Sequence, residues 1–180
     1  MRRKIIFLLG IVLAVLNLPA WGQVAPSAEY HEPRLSAGAM FSVFQPDYAG
    51  NGIRQSSPQP LLGVGAFADA KFNRWIGVEA EGRWLHWNEY IGISQDTYSI
   101  GPKIPITHLG RFTPYGKFLV GLAGGSFLNG HTTALTYGGG ADYSLGKRFF
   151  VRGDFELQQW LVTPNLFPYG RSVGIGYKIF

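Results

Sequence analysis

The chain has 180 residues, enough for one domain with a sizeable core. Only 15% of its residues are charged, against about 25% in a typical soluble domain, whereas 15% are aromatic and 25 are glycine. Because the chain has no cysteine, disulfides, metal-thiolate sites and thiol chemistry are excluded. The formal charge of +5 falls to +2 without Arg2, Arg3 and Lys4, so it gives no argument for a nucleic acid partner.

Residues 1–22 have the pattern of a secretory signal peptide. Three cations precede an apolar run from Ile5 to Leu18, and the sequence Ala-Trp-Gly then supplies small residues before a cleavage site. The apolar run is shorter than the roughly 18–20 residues that a membrane helix needs. We predict cleavage before Gln23 and a periplasmic lead-in over residues 23–34, with an uncleaved N-terminal anchor as the alternative.

From residue 35 onward, apolar and polar residues alternate with a period of two, which predicts strands with two different faces. The clearest example runs from Phe72 to Glu89, is long for a soluble strand of about 5–6 residues, and carries tryptophan near both ends. These features suit a bilayer crossing. One face holds Ile76, Val78, Ala80, Gly82, Trp84 and His86, and the other holds Trp75, Gly77, Glu79, Glu81, Arg83, Leu85 and Trp87.

Eight such strands are predicted in chain order, at about residues 35–44, 61–71, 72–89, 97–106, 112–127, 132–143, 148–161 and 172–180. Pro102 and Pro105 predict a bulge or an early end in the fourth strand, because proline lacks a backbone donor. The connections alternate between long and short, as in outer-membrane barrels. The predicted fold class is all-β, an eight-stranded antiparallel up-and-down transmembrane β-barrel over residues 35–180.

The charged faces are predicted to point into the lumen, because the lipid face of a barrel must be apolar. The inner charges nearly balance: Asp69, Glu79, Glu81, Asp142, Asp154 and Glu156 against Lys71, Arg83, Lys103, Lys117 and Arg152. Buried charges are tolerable only when they are paired, and inward glycines leave room for long side chains. The predicted lumen charge network comprises Glu79, Glu81, Arg83, Lys117, Asp142, Arg152, Asp154 and Glu156. Its role is either to hold the barrel together or to form a gated ion path.

Three segments resemble bacterial outer-membrane β-barrel domains of the OmpA/OmpX type: FTPY at 112–115, GGGADY at 138–143 and RGDF at 152–155. The resemblance covers residues 35–180. It implies a barrel in the outer membrane of a Gram-negative bacterium, with both termini in the periplasm and the long loops outside the cell. The chain departs from the family at its end, where the apolar set is one residue out of phase with Phe180. The register of the eighth strand therefore stays open.

The sequence indicates no catalytic, cofactor or metal site. The four histidines, His31, His86, His108 and His131, lack metal-ligand spacing. The polar residues near two of them form no nucleophile–base motif: Ser126, Thr132 and Thr133 near His131, and Glu89 near His86.

The sequence therefore predicts a non-enzymatic monomer with a structural or surface-interaction role. Its predicted partners are outer-membrane lipid, lipopolysaccharide and an extracellular ligand at the long loops. A narrow ion channel and a lipid A-modifying enzyme are the alternatives.

Overall fold

The computed structural model describes residues 34–47, 59–73, 75–88, 92–126, 128 and 130–179. These residues form eight strands: β1 Arg34–Gln45, β2 Leu61–Lys71, β3 Gly77–Trp87, β4 Gln95–Pro105, β5 Phe112–Gly125, β6 His131–Ser144, β7 Phe149–Trp160 and β8 Tyr169–Lys178. The predicted signal peptide, nearly all of the predicted lead-in, and residues 48–58 of the first loop lie outside the described residues. No helix in the described part of the chain is long and apolar enough to cross a membrane.

The sheet closes on itself. Each strand pairs antiparallel with its neighbours in the sequence, and β1 pairs with β8 from Ser36–Lys178 to Gln45–Tyr169. Closure removes the unpaired edges that an open sheet would expose, which is the condition for a sheet to exist in lipid. The predicted eight-stranded antiparallel up-and-down barrel is confirmed.

The barrel has two unlike ends. The lower end, as named here, carries the chain termini of the barrel and the turns at 72–76, 106–111 and 145–148. The upper end carries the loops at 46–60, 88–94, 126–130 and 161–168. The predicted alternation of long and short connections fails in the middle of the chain, because the upper loop at 126–130 is shorter than the lower turn at 106–111.

The two walls of the barrel follow the period of two. Ile100 and Phe155 on the outer wall are 58% and 53% exposed, whereas Glu79 and Arg83 on the inner wall are fully buried. Strands that bury their charges inside the barrel and expose apolar side chains outside are typical of barrels that span a lipid bilayer.

A β-bulge near the upper end corrects the predicted position of Trp87. Leu62 pairs with Trp87 and Val64 pairs with Trp84, so β3 has one more residue than β2 between these pairs. Trp87 therefore lies on the outer wall, where its ring centroid is 6.2 Å from that of Phe41. The prediction that Trp75 faces inward is also wrong, because Trp75 lies exposed in the turn before β3.

Pro102 neither ends β4 nor forms a bulge, so the prediction is wrong for this residue, whereas Pro105 is the last residue of β4. Ile100–Val120 and Lys103–Lys117, on either side of it, keep one register between β4 and β5. Pro102 still pairs with Val78 of β3. Because the proline nitrogen carries no hydrogen, β4 does not pair with β5 at residues 101 and 102, but the pairing resumes at Lys103.

The structure also settles the phase of β8, which begins at Tyr169. Val173 and Ile175 are more than half exposed on the outer wall. Lys178 occupies an inner position at the lower end, where its Nζ donates a hydrogen bond to Ser144 Oγ at 2.9 Å. The apolar residues of β8 thus face lipid, and Phe180 lies outside the described residues.

Candidate functional site

Arg83 of β3 spans the lumen to β7. Its Nη1 and Nη2 donate to the two carboxylate oxygens of Glu81, at 3.1 Å each, and both nitrogens also contact the carboxylate of Glu156. The side chains of all three residues are at most 1% exposed. A guanidinium between two carboxylates is a strong, directional arrangement, because its five N–H groups lie in a rigid plane.

Arg152 of β7 makes the second cross-lumen contact. Its Nη1 lies 2.8 Å from Glu79 Oε2 on β3, its Nε lies 2.8 Å from Asp142 Oδ1 on β6, and its Nη2 contacts Asp69 on β2. The guanidinium carbon also lies 3.8 Å from the ring centroid of Phe67. One cation thus joins β7 to three other strands and stacks on an aromatic ring.

Two lysines connect these arginine clusters. Lys117 Nζ lies 2.7 Å from Glu79, 3.0 Å from Glu81 and 2.6 Å from Glu156. Lys103 Nζ lies 3.1 Å from Glu79, 3.3 Å from Asp142 and 3.4 Å from Asp69. The ion pairs therefore form a continuous set along the lumen rather than separate bridges. We call these ten side chains the lumen cluster: Asp69, Glu79, Glu81, Arg83, Lys103, Lys117, Asp142, Arg152, Asp154 and Glu156.

The structure brings all eight residues of the predicted network into this cluster, but Glu81 and Asp154 do not bridge β3 and β7. Glu81 bonds to Arg83, Lys117 and Ser99 and has no described contact with β7. Asp154 contacts β5 instead of β3, through Tyr115 Oη and, at 3.5 Å, Lys117.

Lys103 and Asp69 belong to the cluster and were missing from the predicted network, as was Tyr115 from the predicted inner set. The period of two could have identified them, because each lies an even number of residues from an inner-wall residue on the same strand.

Apolar side chains close the lumen above the cluster. One group consists of Phe44, Leu61, Leu85 and Ile93, and a second of Ala123, Ala134, Trp160 and Leu166. Met40, Phe67 and Phe150 form a third group in the lower half. We call the first two groups the upper plug. It lies between the lumen cluster and the upper end of the barrel, and two of its members, Ile93 and Leu166, belong to the upper loops.

Polar atoms without a described protein partner lie between the cluster and the upper plug. They are Arg83 Nε, Gln95 Oε1, Thr97 Oγ1 and Gln158 Nε2, and Thr97 pairs with Arg83 across β3 and β4. Buried polar atoms of this kind require water to satisfy their hydrogen bonds. This level of the lumen is therefore polar enough for hydration, unlike the plug above it.

Gly140 on the inner wall gives a test of how tightly the lumen is filled. A Cβ at Gly140 would lie 2.8 Å from Asp154 Oδ1 and 2.9 Å from Tyr115 Oη, and would also meet the backbone of Gly153. Gly140→Ala is expected to destabilise the barrel by about 1–3 kcal/mol through overpacking. Gly153→Ala is the matched control, because nothing lies within 4 Å of its Cβ position on the outer wall. Urea unfolding in lipid vesicles measures both, and equal effects would contradict a filled lumen.

The residues considered for catalysis make other contacts. His86 Nε2 lies 2.6 Å from Asp96 Oδ1 near the upper end, and Glu89 lies outside the described residues. Ser126 Oγ donates to the Gly92 carbonyl, and Thr132 Oγ1 donates to the Leu161 carbonyl. In the part of the chain that the structure describes, no three His, Asp or Glu side chains are arranged to hold a metal ion. His31 lies outside that part.

Comparison with known proteins identifies the class of barrel. Residues 11–178 match the family described as outer membrane protein beta-barrel domain, whereas no curated protein matches the sequence. Similar solved structures include neisserial surface protein A, with a TM-score of 0.60 at 14% identity over 81% of this chain and 97% of that one. OprG of Pseudomonas aeruginosa gives 0.58 at 12% identity over 82% and 96%. Ail, the attachment invasion locus protein of Yersinia pestis, gives 0.54 at 19% identity over 82% and 97%. At these identities the structural likeness concerns the fold.

Proposed function

The chain belongs to the outer membrane protein beta-barrel domain family, and from this premise we propose a non-enzymatic monomer with a structural or surface-interaction role. It lies in the outer membrane of a Gram-negative bacterium. In this proposal the lumen cluster holds the barrel rigid and conducts no ions, and the upper loops meet the partner. The proposed mature chain starts at Gln23, after the signal peptide over residues 1–22.

One observation carries the proposal: side chains from opposite sides of the barrel fill the lumen. Arg83 bridges Glu81 and Glu156, and the side chains of Arg83 and Lys117 are fully buried. Above them Phe44, Leu61 and Leu85 are at most 1% exposed. A barrel of eight strands has an interior just wide enough for side chains to fill, so a filled lumen favours a structural part over a pore.

The upper loops are the proposed contact surface, because a lumen closed by side chains leaves the exposed ends for recognition. The roots of the first and last loops lie together, since the backbone N–H of Phe167 donates to Asp47 Oδ2 at 2.9 Å. We propose that the loops at 46–60 and 161–168 meet the partner outside the cell. We propose that lipopolysaccharide surrounds the barrel at the same end.

An enzymatic role, such as modification of lipid A, is not proposed. A hydrolase of this kind needs a nucleophile beside a base, and the hydroxyls of Ser126 and Thr132 are instead bonded to backbone carbonyls. His86 is engaged with Asp96 on the outer side of the wall. None of these contacts supplies a substrate-facing nucleophile.

A narrow ion channel is the second candidate, and one observation favours it. The polar atoms of Arg83, Gln95, Thr97 and Gln158 that lack described protein partners would support water above the lumen cluster. An ion path would then require the upper plug to move aside.

Planar bilayer recordings distinguish the two candidates. We expect no steady single-channel conductance from the wild type, because the lumen cluster and the upper plug fill the path. Neither Glu81→Gln nor the control Asp96→Asn on the outer wall is expected to show conductance. Steady wild-type conductance whose ion selectivity changes in Glu81→Gln, and not in Asp96→Asn, would overturn the proposal and establish the channel.

A further inference from the structure

The lower end of the barrel carries an excess of positive charge. Its described cations are Arg34, Lys71, Arg111, Lys147, Arg148 and Lys178. The nearest described carboxylates, Asp69 and Asp142, face the lumen and are paired with Arg152 and Lys103. The described turns at this end, residues 72–73, 75–76, 106–111 and 145–148, contain neither Asp nor Glu. The upper end differs, because Asp47 and Asp96 lie there.

Three of these cations lie on two adjacent turns. β5 and β6 stay paired to Phe112–Tyr143, and the backbone N–H of Ser144 donates to the Arg111 carbonyl at 2.8 Å. These contacts hold the turn at 106–111 against the turn at 145–148. Arg111, Lys147 and Arg148 are all exposed, and none of them forms an ion pair with a carboxylate in the described residues.

Arg148 is held on the outside of the barrel. It precedes β7, and its Nη1 donates to the hydroxyl of Tyr177 at 2.9 Å. The ring of Tyr177 packs edge-on against Phe149, with centroids 5.2 Å apart. Because both rings belong to the outer wall, the guanidinium lies where the wall meets the lower turns.

Exposed apolar side chains surround the three cations. Leu109, Leu145 and Phe149 are each more than half exposed, and Tyr143 is 46% exposed. In a turn surrounded by water such residues would be costly. At the level of lipid headgroups, aromatic rings and the alkyl parts of Lys and Arg meet the acyl boundary while their polar groups reach the phosphates.

We propose that this surface is a binding site for the phosphate headgroup of an anionic phospholipid in the leaflet that meets the lower end. We call it the lower basic surface, and it consists of Arg111, Lys147, Arg148, Leu109, Tyr143, Leu145, Phe149 and Tyr177. The cations contact the phosphate, the Tyr177 hydroxyl fixes the Arg148 guanidinium, and the apolar side chains contact the first carbons of the acyl chains. The proposal rests on the membrane location and on the short turns facing the periplasm. It does not depend on the proposed role of the lumen or of the upper loops.

Charge complementarity selects this occupant. A cluster of Lys and Arg attracts anionic headgroups with about 1 kcal/mol per cation, which corresponds to about fivefold in affinity for each one. A zwitterionic headgroup gains no such net attraction. The phosphates of lipid A belong to the opposite leaflet when the short turns face the periplasm. The expected ligand is therefore a phospholipid such as phosphatidylglycerol.

Native mass spectrometry of the refolded protein with added lipid tests the proposal. The wild type is expected to retain phosphatidylglycerol in preference to phosphatidylcholine. The triple variant Arg111→Gln/Lys147→Gln/Arg148→Gln should lose affinity for phosphatidylglycerol by on the order of 100-fold, which is about fivefold per cation. The matched control Arg171→Gln removes an exposed cation that pairs with Phe155 on the outer wall, outside the lower basic surface, and should leave this affinity unchanged.

A charge-conserving variant, Arg111→Lys/Arg148→Lys, guards against loss of binding through misfolding and should keep most of the preference. Any of four results would overturn the proposal. The wild type could bind both phospholipids equally, the triple variant could behave like Arg171→Gln, or the triple variant could lose lipid A while keeping phosphatidylglycerol. The fourth result concerns the charge-conserving variant. If it lost as much affinity for phosphatidylglycerol as the triple variant, the site would not recognise its ligand by charge.

Discussion

Arg83→Met is expected to lower the free energy of unfolding by about 3–5 kcal/mol. The guanidinium of Arg83 contacts the carboxylates of Glu81 and Glu156, and all three side chains are at most 1% exposed. Methionine keeps most of the side-chain volume but removes the charge. Lys117 would then be the only described cation in contact with both carboxylates, and the remaining negative charge has no access to bulk water.

Urea unfolding in lipid vesicles, followed by tryptophan fluorescence, measures this effect. Arg111→Met is the matched control, because Arg111 is an exposed arginine in the turn at 106–111. A surface arginine away from such contacts should change stability by no more than about 0.5 kcal/mol. Similar losses in the two variants would mean that the charge of Arg83 is solvated.

Phe155→Arg is expected to cost about 2–4 kcal/mol, because it places a cation on the lipid face near the bilayer midplane. Phe155 lies in the middle of β7 and is 53% exposed on the outer wall. Val78→Arg on the same wall should cost less. Val78 is the second residue of β3, so a long cation there reaches the headgroups at the lower end.

The matched control for Phe155→Arg is Asn165→Arg in the exposed loop at 161–168, which should stay within about 0.5 kcal/mol of the wild type. The same unfolding assay compares all three variants. If Phe155→Arg were no more harmful than Asn165→Arg, the outer wall would not face lipid, and the two faces of every strand would have been assigned wrongly.

The period of two was sufficient to predict the architecture and the two walls. A strand must send successive side chains to opposite faces, so the charges of β3 and β7 could be assigned to one side without coordinates. Glu79, Glu81 and Arg83 share one parity, as do Arg152, Asp154 and Glu156. Lipid on the other side then decides which face is inside.

The individual contacts could not be predicted, because they depend on tilt and register. In a tilted barrel, the residue opposite a given side chain is set by the stagger between strands, which the alternation does not contain. Arg83 therefore meets Glu156, and Glu79 meets Arg152, whereas Glu81 stays on its own side of the lumen. A single extra residue in β3 likewise moved Trp87 from the inner to the outer wall.

The end of the chain shows a different limit. Lys178 looked out of place in a strand expected to end in alternating apolar residues, and the phase of β8 was left open. Pairing with β1 places Lys178 opposite Ser36 on the inner wall, near Ser144. The long-range ladder fixes this phase, so only the closed sheet could reveal it.

The coupling free energy between Arg83 and Glu156 tests most directly the claim that charges meet across the lumen. It is obtained from the unfolding free energies of Arg83→Met, Glu156→Met, the double variant and the wild type in lipid vesicles. We expect the double variant to cost less than the two single variants together, by about 0.5–3 kcal/mol, because it leaves neither partner as an orphaned charge. Additive effects, with a coupling free energy near zero, would show that the two side chains do not pair and that the lumen is filled by water.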